Sequence, residues 1–205
     1  MKDIIILVAD SYQEKVLEAL LPRVPISSGT RPFTYDFIRN PGHDSGAYND
    51  SHELLRPYSK QYSYALVLMD YEGCGVEHQK SAEEVEQYVA ELLDRSGWEN
   101  RNKVVVITPE LETWMWMDNQ HVTNAIGWEQ KEGLYEWARR NGYIGNEVYK
   151  PERPKETLEK ALKLSGTPKS AAVYKKIAMH ASYKKCEDKA FIGMIGTLQE
   201  WFPVV

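Results

Sequence analysis

Ile4-Ile5-Ile6-Leu7-Val8-Ala9, followed at once by Asp10-Ser11, is the stretch on which the fold turns. Six apolar residues in succession, most of them β-branched, are too continuous for a strand with one wet face. They predict a strand buried on both sides. Two more runs repeat the pattern. Tyr64-Ala65-Leu66-Val67-Leu68-Met69 stops at Asp70, and Lys103-Val104-Val105-Val106-Ile107 runs into Thr108-Pro109-Glu110. Phe33 to Arg39 mostly alternates apolar and polar, as a half-exposed strand does. Between these runs the period changes. Val16, Leu17, Leu20 and Leu21 recur at helical spacing after Asp10-Ser11, and Val85, Tyr88, Val89 and Leu92 mark a helix over 83–93. Strands alternating with helices predict an α/β fold, a mostly parallel sheet covered on both faces.

The connecting segments read differently. Residues 22–32, with three prolines and a Ser-Ser-Gly-Thr turn, predict a loop. Residues 40–58 predict a polar loop with a short helix near 51–55. Beyond Trp114 the chain reads as helical throughout, over 128–140, 154–164, 168–182 and 186–202. The expected organisation is an α/β domain over 1–127 with a helical C-terminal extension, 128–205, packed on the same domain.

The 205 residues, 42% hydrophobic and 27% charged, are enough to bury one sizeable core. No stretch approaches the ~18 apolar residues of a membrane span, and Met1-Lys2-Asp3-Ile4 enters a strand with no export signal. The two cysteines, Cys74 and Cys186, have no metal-like spacing, so a reduced cytoplasmic location is expected. Charge is uneven. Residues 139–190 hold thirteen lysines and arginines against six acids, a surplus of seven, which leaves −12 for the rest of a chain of net charge −5. Such a region could grip a polyanion, or its lysines could simply solvate helix faces.

Each buried strand delivers acids to one edge: Asp10 with Glu14, Asp70 with Glu72, and Glu110 with Glu112. Ligands of open α/β sheets bind beyond that edge. Two readings of these acids stand side by side. Asp is a good helix N-cap and Glu suits a first turn. Alternatively the carboxylates gather around a cation, because without a cation or a proton they repel. Asp70-Tyr71-Glu72-Gly73, two acids on a Gly-containing turn, favours the second reading. Oxygen ligands with few histidines point to Mg²⁺ or Mn²⁺ rather than Zn²⁺.

Val8-Ala9-Asp10-Ser11 with Glu14-Lys15-Val16-Leu17, followed by Asp70-Tyr71-Glu72-Gly73, resembles the TOPRIM pattern of an acid after the first strand and Asp-x-Asp-Gly after a later one. Pro109-Glu110-Leu111-Glu112-Thr113-Trp114 resembles the Glu-x-Trp signature of a TOPRIM-like family found in bacterial anti-phage defence loci and related to OLD-type nucleases. Pro154-Lys155-Glu156-Thr157-Leu158-Glu159-Lys160 and Ala190-Phe191 resemble its C-terminal layout, so the likeness spans nearly the whole chain. Asp10-Ser11 replaces the family's Glu-Gly, and Glu72 replaces the second Asp. Each change keeps a carboxylate and moves it by one methylene.

The resemblance implies a TOPRIM-like Rossmannoid three-layer sandwich and Mg²⁺- (or Mn²⁺-) dependent nucleic-acid cleavage or related phosphoryl transfer. Asp70, Glu72 and Asp10 would hold metal. Asp10, Glu14, Glu110 and Glu112 would be the catalytic acids, with only one of Glu110 and Glu112 facing the metal. Lys175, Lys176, Lys184 and Lys185 are the expected phosphate contacts. The implied partners are nucleic acid and other subunits of a defence system. The competing expectation is a non-catalytic subunit that keeps the fold and binds a partner protein. Trp114-Met115-Trp116-Met117 reads as core, and His43, Asp44 and His52 as solvated loop residues. A thiol at Cys74 beside so many acids is expected to resist ionisation. With neither a Gly-x-x-x-x-Gly-Lys nor a Gly-x-Gly-x-x-Gly sequence, no nucleotide cofactor is expected.

Overall fold

A computed structural model describes residues 1–116, 119–145, 150–181 and 186–204. The three apolar runs form β1 (Lys2–Val8), β3 (Tyr62–Asp70) and β4 (Asn102–Ile107), and the alternating segment forms β2 (Tyr35–Arg39). They make one four-stranded, all-parallel sheet in the order β2-β1-β3-β4. The continuous runs sit where both faces are covered. Ile4 to Val8 and Ala65 to Met69 are within 1% of full burial, whereas every residue of the edge strand β2 keeps some exposure. At the other edge, Val106 N, which points away from β3, donates to Glu86 Oε1 at 3.2 Å and so blunts the open strand.

Helices divide between the faces. One face carries α1 (Ser11–Leu20), α9 (Ala171–His180) and α10 (Lys189–Trp201) on Ile4, Ile6, Val8, Leu66, Leu68, Val105 and Ile107. The other carries α3 (His43–Leu55) and α4 (Ala82–Leu93) on Ile5, Leu7, Ala65, Val67, Met69, Val104 and Val106. The result is a three-layer α/β sandwich. The short α2 (Val24–Ser28) interrupts the 22–32 segment, and α5 (Glu112–Met115), α6 (Asn119–Ile126), α7 (Leu134–Arg140) and α8 (Pro154–Leu164) enlarge the first face. Among the described residues no helix is long and apolar enough to cross a membrane.

The C-terminal helices share the first face's core with the sheet. Trp114 and Trp116 are completely or almost completely buried. Trp114 Nε1 donates to Asp188 Oδ1 at 3.0 Å, and Trp116 Nε1 donates to the Pro154 carbonyl at 3.1 Å. The aromatic segment is therefore core, as expected, up to Met117, which lies outside the described residues. Two expectations fail. Residues 21–28 are helical where a loop over 22–32 is expected, and residues 43–55 form a full 13-residue helix where only a short one near 51–55 is expected. Its hydrophobic signal is weak because Gly46, Ala47, Tyr48, Ser51 and Leu55 make the buried face, and three of these are small or polar.

Candidate functional site

From β1 the chain turns into α1 on one face, and from β3 it runs toward α4 on the other. The two strands are neighbours, so their carboxyl ends bound a crevice at the point where the strand order reverses. Asp10 stands on one side. Its Oδ1 accepts the N–H groups of Tyr12 (2.8 Å) and Gln13 (2.9 Å), so it caps α1, and its charge reaches both Asp44 and Asp70. Asp70, the last residue of β3, stands on the other side.

The third carboxylate comes from α3. After β2, Asn40 Oδ1 accepts Gly42 N at 2.8 Å and folds the chain back. A Cβ on Gly46 would lie 2.1 Å from that same oxygen, so only glycine fits where the helix starts. This tight turn carries Asp44, in the first turn of α3, into the crevice. Asp44 Oδ1 accepts Asp70 N at 2.7 Å. Gln13, buried at 1% exposure, joins the two aspartates. Its Nε2 donates to Asp44 Oδ1 (3.3 Å) and Asp70 Oδ1 (3.1 Å), and its Oε1 accepts Ala9 N at 2.9 Å. The main chain of Leu111 also donates to Asp70 Oδ1, at 3.0 Å.

The electrostatics follow from this crowding. Burial first, then the charges of Asp44, Glu112 and Asp10, push the Asp70 carboxyl well above its ordinary value. Burial, and then Asp10, raise Asp44 as well. Among the described residues neither aspartate has a cationic side chain within hydrogen-bond reach, and Asp70 Oδ2 takes no hydrogen bond.

Glu110 and Glu112 are buried too, at 3% and 4% exposure, but each is answered. Glu110 precedes α5, and its oxygens accept the main-chain N–H (3.1 Å) and Nζ (3.2 Å) of Lys155 at the start of α8. Its pKa is still raised, chiefly by burial and then by Glu112. Burial opposes the charge on Lys155, yet Glu110, Glu112 and Asp70 outweigh it and hold that pKa up. Glu112 Oε1 accepts the Tyr174 hydroxyl at 2.5 Å, and Lys169 Nζ stands 3.8 Å away, itself bonded to Glu159. The two glutamates thus diverge, Glu110 toward α8 and Glu112 toward α9.

The other expected site residues are scattered. Glu14 is paired with Arg39 at the end of β2 and with Lys15, at the outer rim. Glu72 is exposed, with its main-chain N–H on the Pro109 carbonyl, and lines a separate cleft of about 240 Å³ with Glu110, Glu152, Arg153 and Glu156. Lys175 pairs with Glu18 on α1 at 2.9 Å, and Lys176 donates to the Asn124 and Ala125 carbonyls at the end of α6. Lys184 and Lys185 lie outside the described residues. Among the described residues no three His, Cys, Asp or Glu side chains are gathered so as to hold a metal ion.

Sequence reasoning placed Asp44 among solvated loop residues, and that is corrected here, because the helix it starts delivers it to the crevice. An acid flanked by Gly42 and Gly46 directly after a strand was the available signal. Gln13 and Tyr174 carried none. Cys74 behaves as expected, although burial, more than neighbouring charge, raises its thiol. Comparison with protein-family models, with curated proteins and with solved structures finds no match to this chain.

Proposed function

We propose that the chain is a metal-dependent nuclease or phosphotransferase of TOPRIM type, acting in the bacterial cytoplasm in anti-phage defence. The observation that carries the chemistry is the pair Asp44 and Asp70. Both are part-buried side by side at the switch point of a parallel sheet, and among the described residues no basic side chain lies within hydrogen-bond reach of either. A fold that keeps such a pair is ready for a cation, and Mg²⁺ needs only one or two carboxylates because it retains its waters and takes the rest from substrate phosphates. The oxygen-only donor set fits Mg²⁺ or Mn²⁺. The ion, when bound, would supply Lewis acidity to a phosphoryl oxygen.

The chain's own groups have separable tasks in this reading. Asp70 and Asp44 hold the ion, and this replaces Glu72, whose exposed side chain lines the neighbouring cleft. Asp10, with Oδ1 fixed by the α1 N–H groups, keeps Oδ2 for a proton or a further bond. Lys155, within electrostatic reach of Asp70 and 45% exposed, faces the charge of an approaching phosphate. Defence itself, and the partners it implies, rest on the sequence resemblance alone.

A second reading, a non-catalytic subunit that binds a partner protein, is favoured by the engagement of Lys175 and Lys176 within the chain and by the acidic cleft at Glu72, Glu152 and Glu156, which repels polyanions. Calorimetric titration with Mn²⁺ separates the two. Saturable binding that is abolished in Asp44→Asn and Asp70→Asn but kept in Glu72→Gln is expected, followed by Mn²⁺-dependent cutting of labelled DNA or RNA. Absence of binding at millimolar metal leaves the partner-binding reading.

A further inference from the structure

We infer that Gln13 is a positioning residue that makes the crevice selective for small octahedral cations over Ca²⁺, an inference that rests on the metal reading above. Gln13 Oε1 accepts Ala9 N, which leaves Nε2 as the end that reaches the two carboxylates, so the amide orientation is fixed by its own hydrogen bonds. Its donors fall on Oδ1 of Asp44 and Oδ1 of Asp70, never on Oδ2. Main-chain donors reinforce the choice, Asp70 N on Asp44 Oδ1 and Leu111 N on Asp70 Oδ1. One oxygen of each carboxylate is therefore occupied, and each aspartate offers the crevice a single oxygen.

That restriction bears on ion choice. Ca²⁺ takes six to eight oxygens and often uses both oxygens of a carboxylate, while Mg²⁺ and Mn²⁺ are content with single oxygens at near-octahedral angles. Gln13 also holds the two carboxylates at one separation against their repulsion, since a single nitrogen bonds both. No other side chain among the described residues bridges them. A glutamine at 1% exposure whose side-chain nitrogen donates to both carboxylates of the site is poorly explained by packing alone.

The test is Mn²⁺ and Ca²⁺ titration of the full chain, by calorimetry and by the electron paramagnetic resonance of Mn²⁺, for the wild type, Gln13→Met and Gln13→Asn. Methionine keeps the length without the donors. Asparagine keeps the amide but is one methylene too short to span the pair, and it serves if the first variant does not fold. Mn²⁺ affinity is expected to fall about tenfold or more. Ca²⁺ affinity is expected to fall less, so that the preference narrows in a variant whose circular dichroism is unchanged. A loss of overall stability alone would leave that ratio unmoved. Unchanged affinity and ratio in a folded variant, with binding still abolished by Asp70→Asn, overturn the role of Gln13 and leave the metal reading intact. No Mn²⁺ binding by the wild type overturns both.

Discussion

Glu110 and Glu112 each meet a lysine and a further donor, Lys155 in two ways for the first, Tyr174 and Lys169 for the second. Among the described residues Asp44 and Asp70, at the neighbouring crevice, meet only the amide of Gln13 and main-chain N–H groups. All four acids lose hydration, yet among the described residues only the glutamates have a cation within 4 Å. The difference teaches which acids serve the fold. Glu110 satisfies the start of α8 and Glu112 anchors α9, so they fasten the C-terminal helices to the sheet edge. The aspartates fasten nothing that a neutral side chain would not hold as well, and their charge is kept at a cost to stability, which is common at functional sites.

The sharpest way to break this contrast is to take the cation from the compensated side. Lys155→Met leaves Glu110 buried without its ion pair and is expected to destabilise the protein by about 3 kcal/mol at neutral pH, read by urea unfolding. The loss should shrink as the pH falls and Glu110, already raised above 4.5, takes a proton. A variant as stable as the wild type would remove the distinction between the two pairs.

On the uncompensated side the sign of the mutational effect reverses. The Asp70 carboxyl binds its proton more tightly folded than unfolded, so its contribution favours folding below the unfolded value of 3.8 and is lost as the pH rises through the raised folded value. Asp70→Asn keeps an acceptor without the ionisable group and is expected to add about 1 kcal/mol at a pH above that raised value, while abolishing metal binding. In thermal melts the gain should vanish in acid below the unfolded value. A destabilised Asp70→Asn would mean that the charge itself holds the crevice together.

The smallest effect is expected outside both pairs. Lys175→Met breaks a half-exposed pair with Glu18 and should change stability by less than about 0.5 kcal/mol. If Lys175 contacts phosphate, the same variant lowers the salt dependence of nucleic-acid binding by about one unit of slope. An unchanged slope assigns Lys175 to the α1–α9 contact alone.

Much of this architecture was legible in the chain. The three continuous apolar runs determined a sheet buried on both faces, and an all-parallel sheet needs helical crossovers, so the α/β sandwich followed. The strand-end positions of Asp10 and Asp70 followed from the same runs. Pro154–Leu164 was readable as a helix to the residue, because Pro at the first turn and an amphipathic period mark it without help from the rest of the fold. What only the tertiary structure decided is which acids meet. Strand ends converge by topology, but Asp44 enters through the turn that Asn40 and Gly46 make possible. Glu72 and Glu14 leave because an exposed turn and a pairing with Arg39 take them elsewhere. Whether a carboxylate is neutralised depends on residues remote in sequence, Lys155 and Tyr174 among them. Local periodicity reports which face of an element is buried, and contacts between elements alone report what that face is buried against.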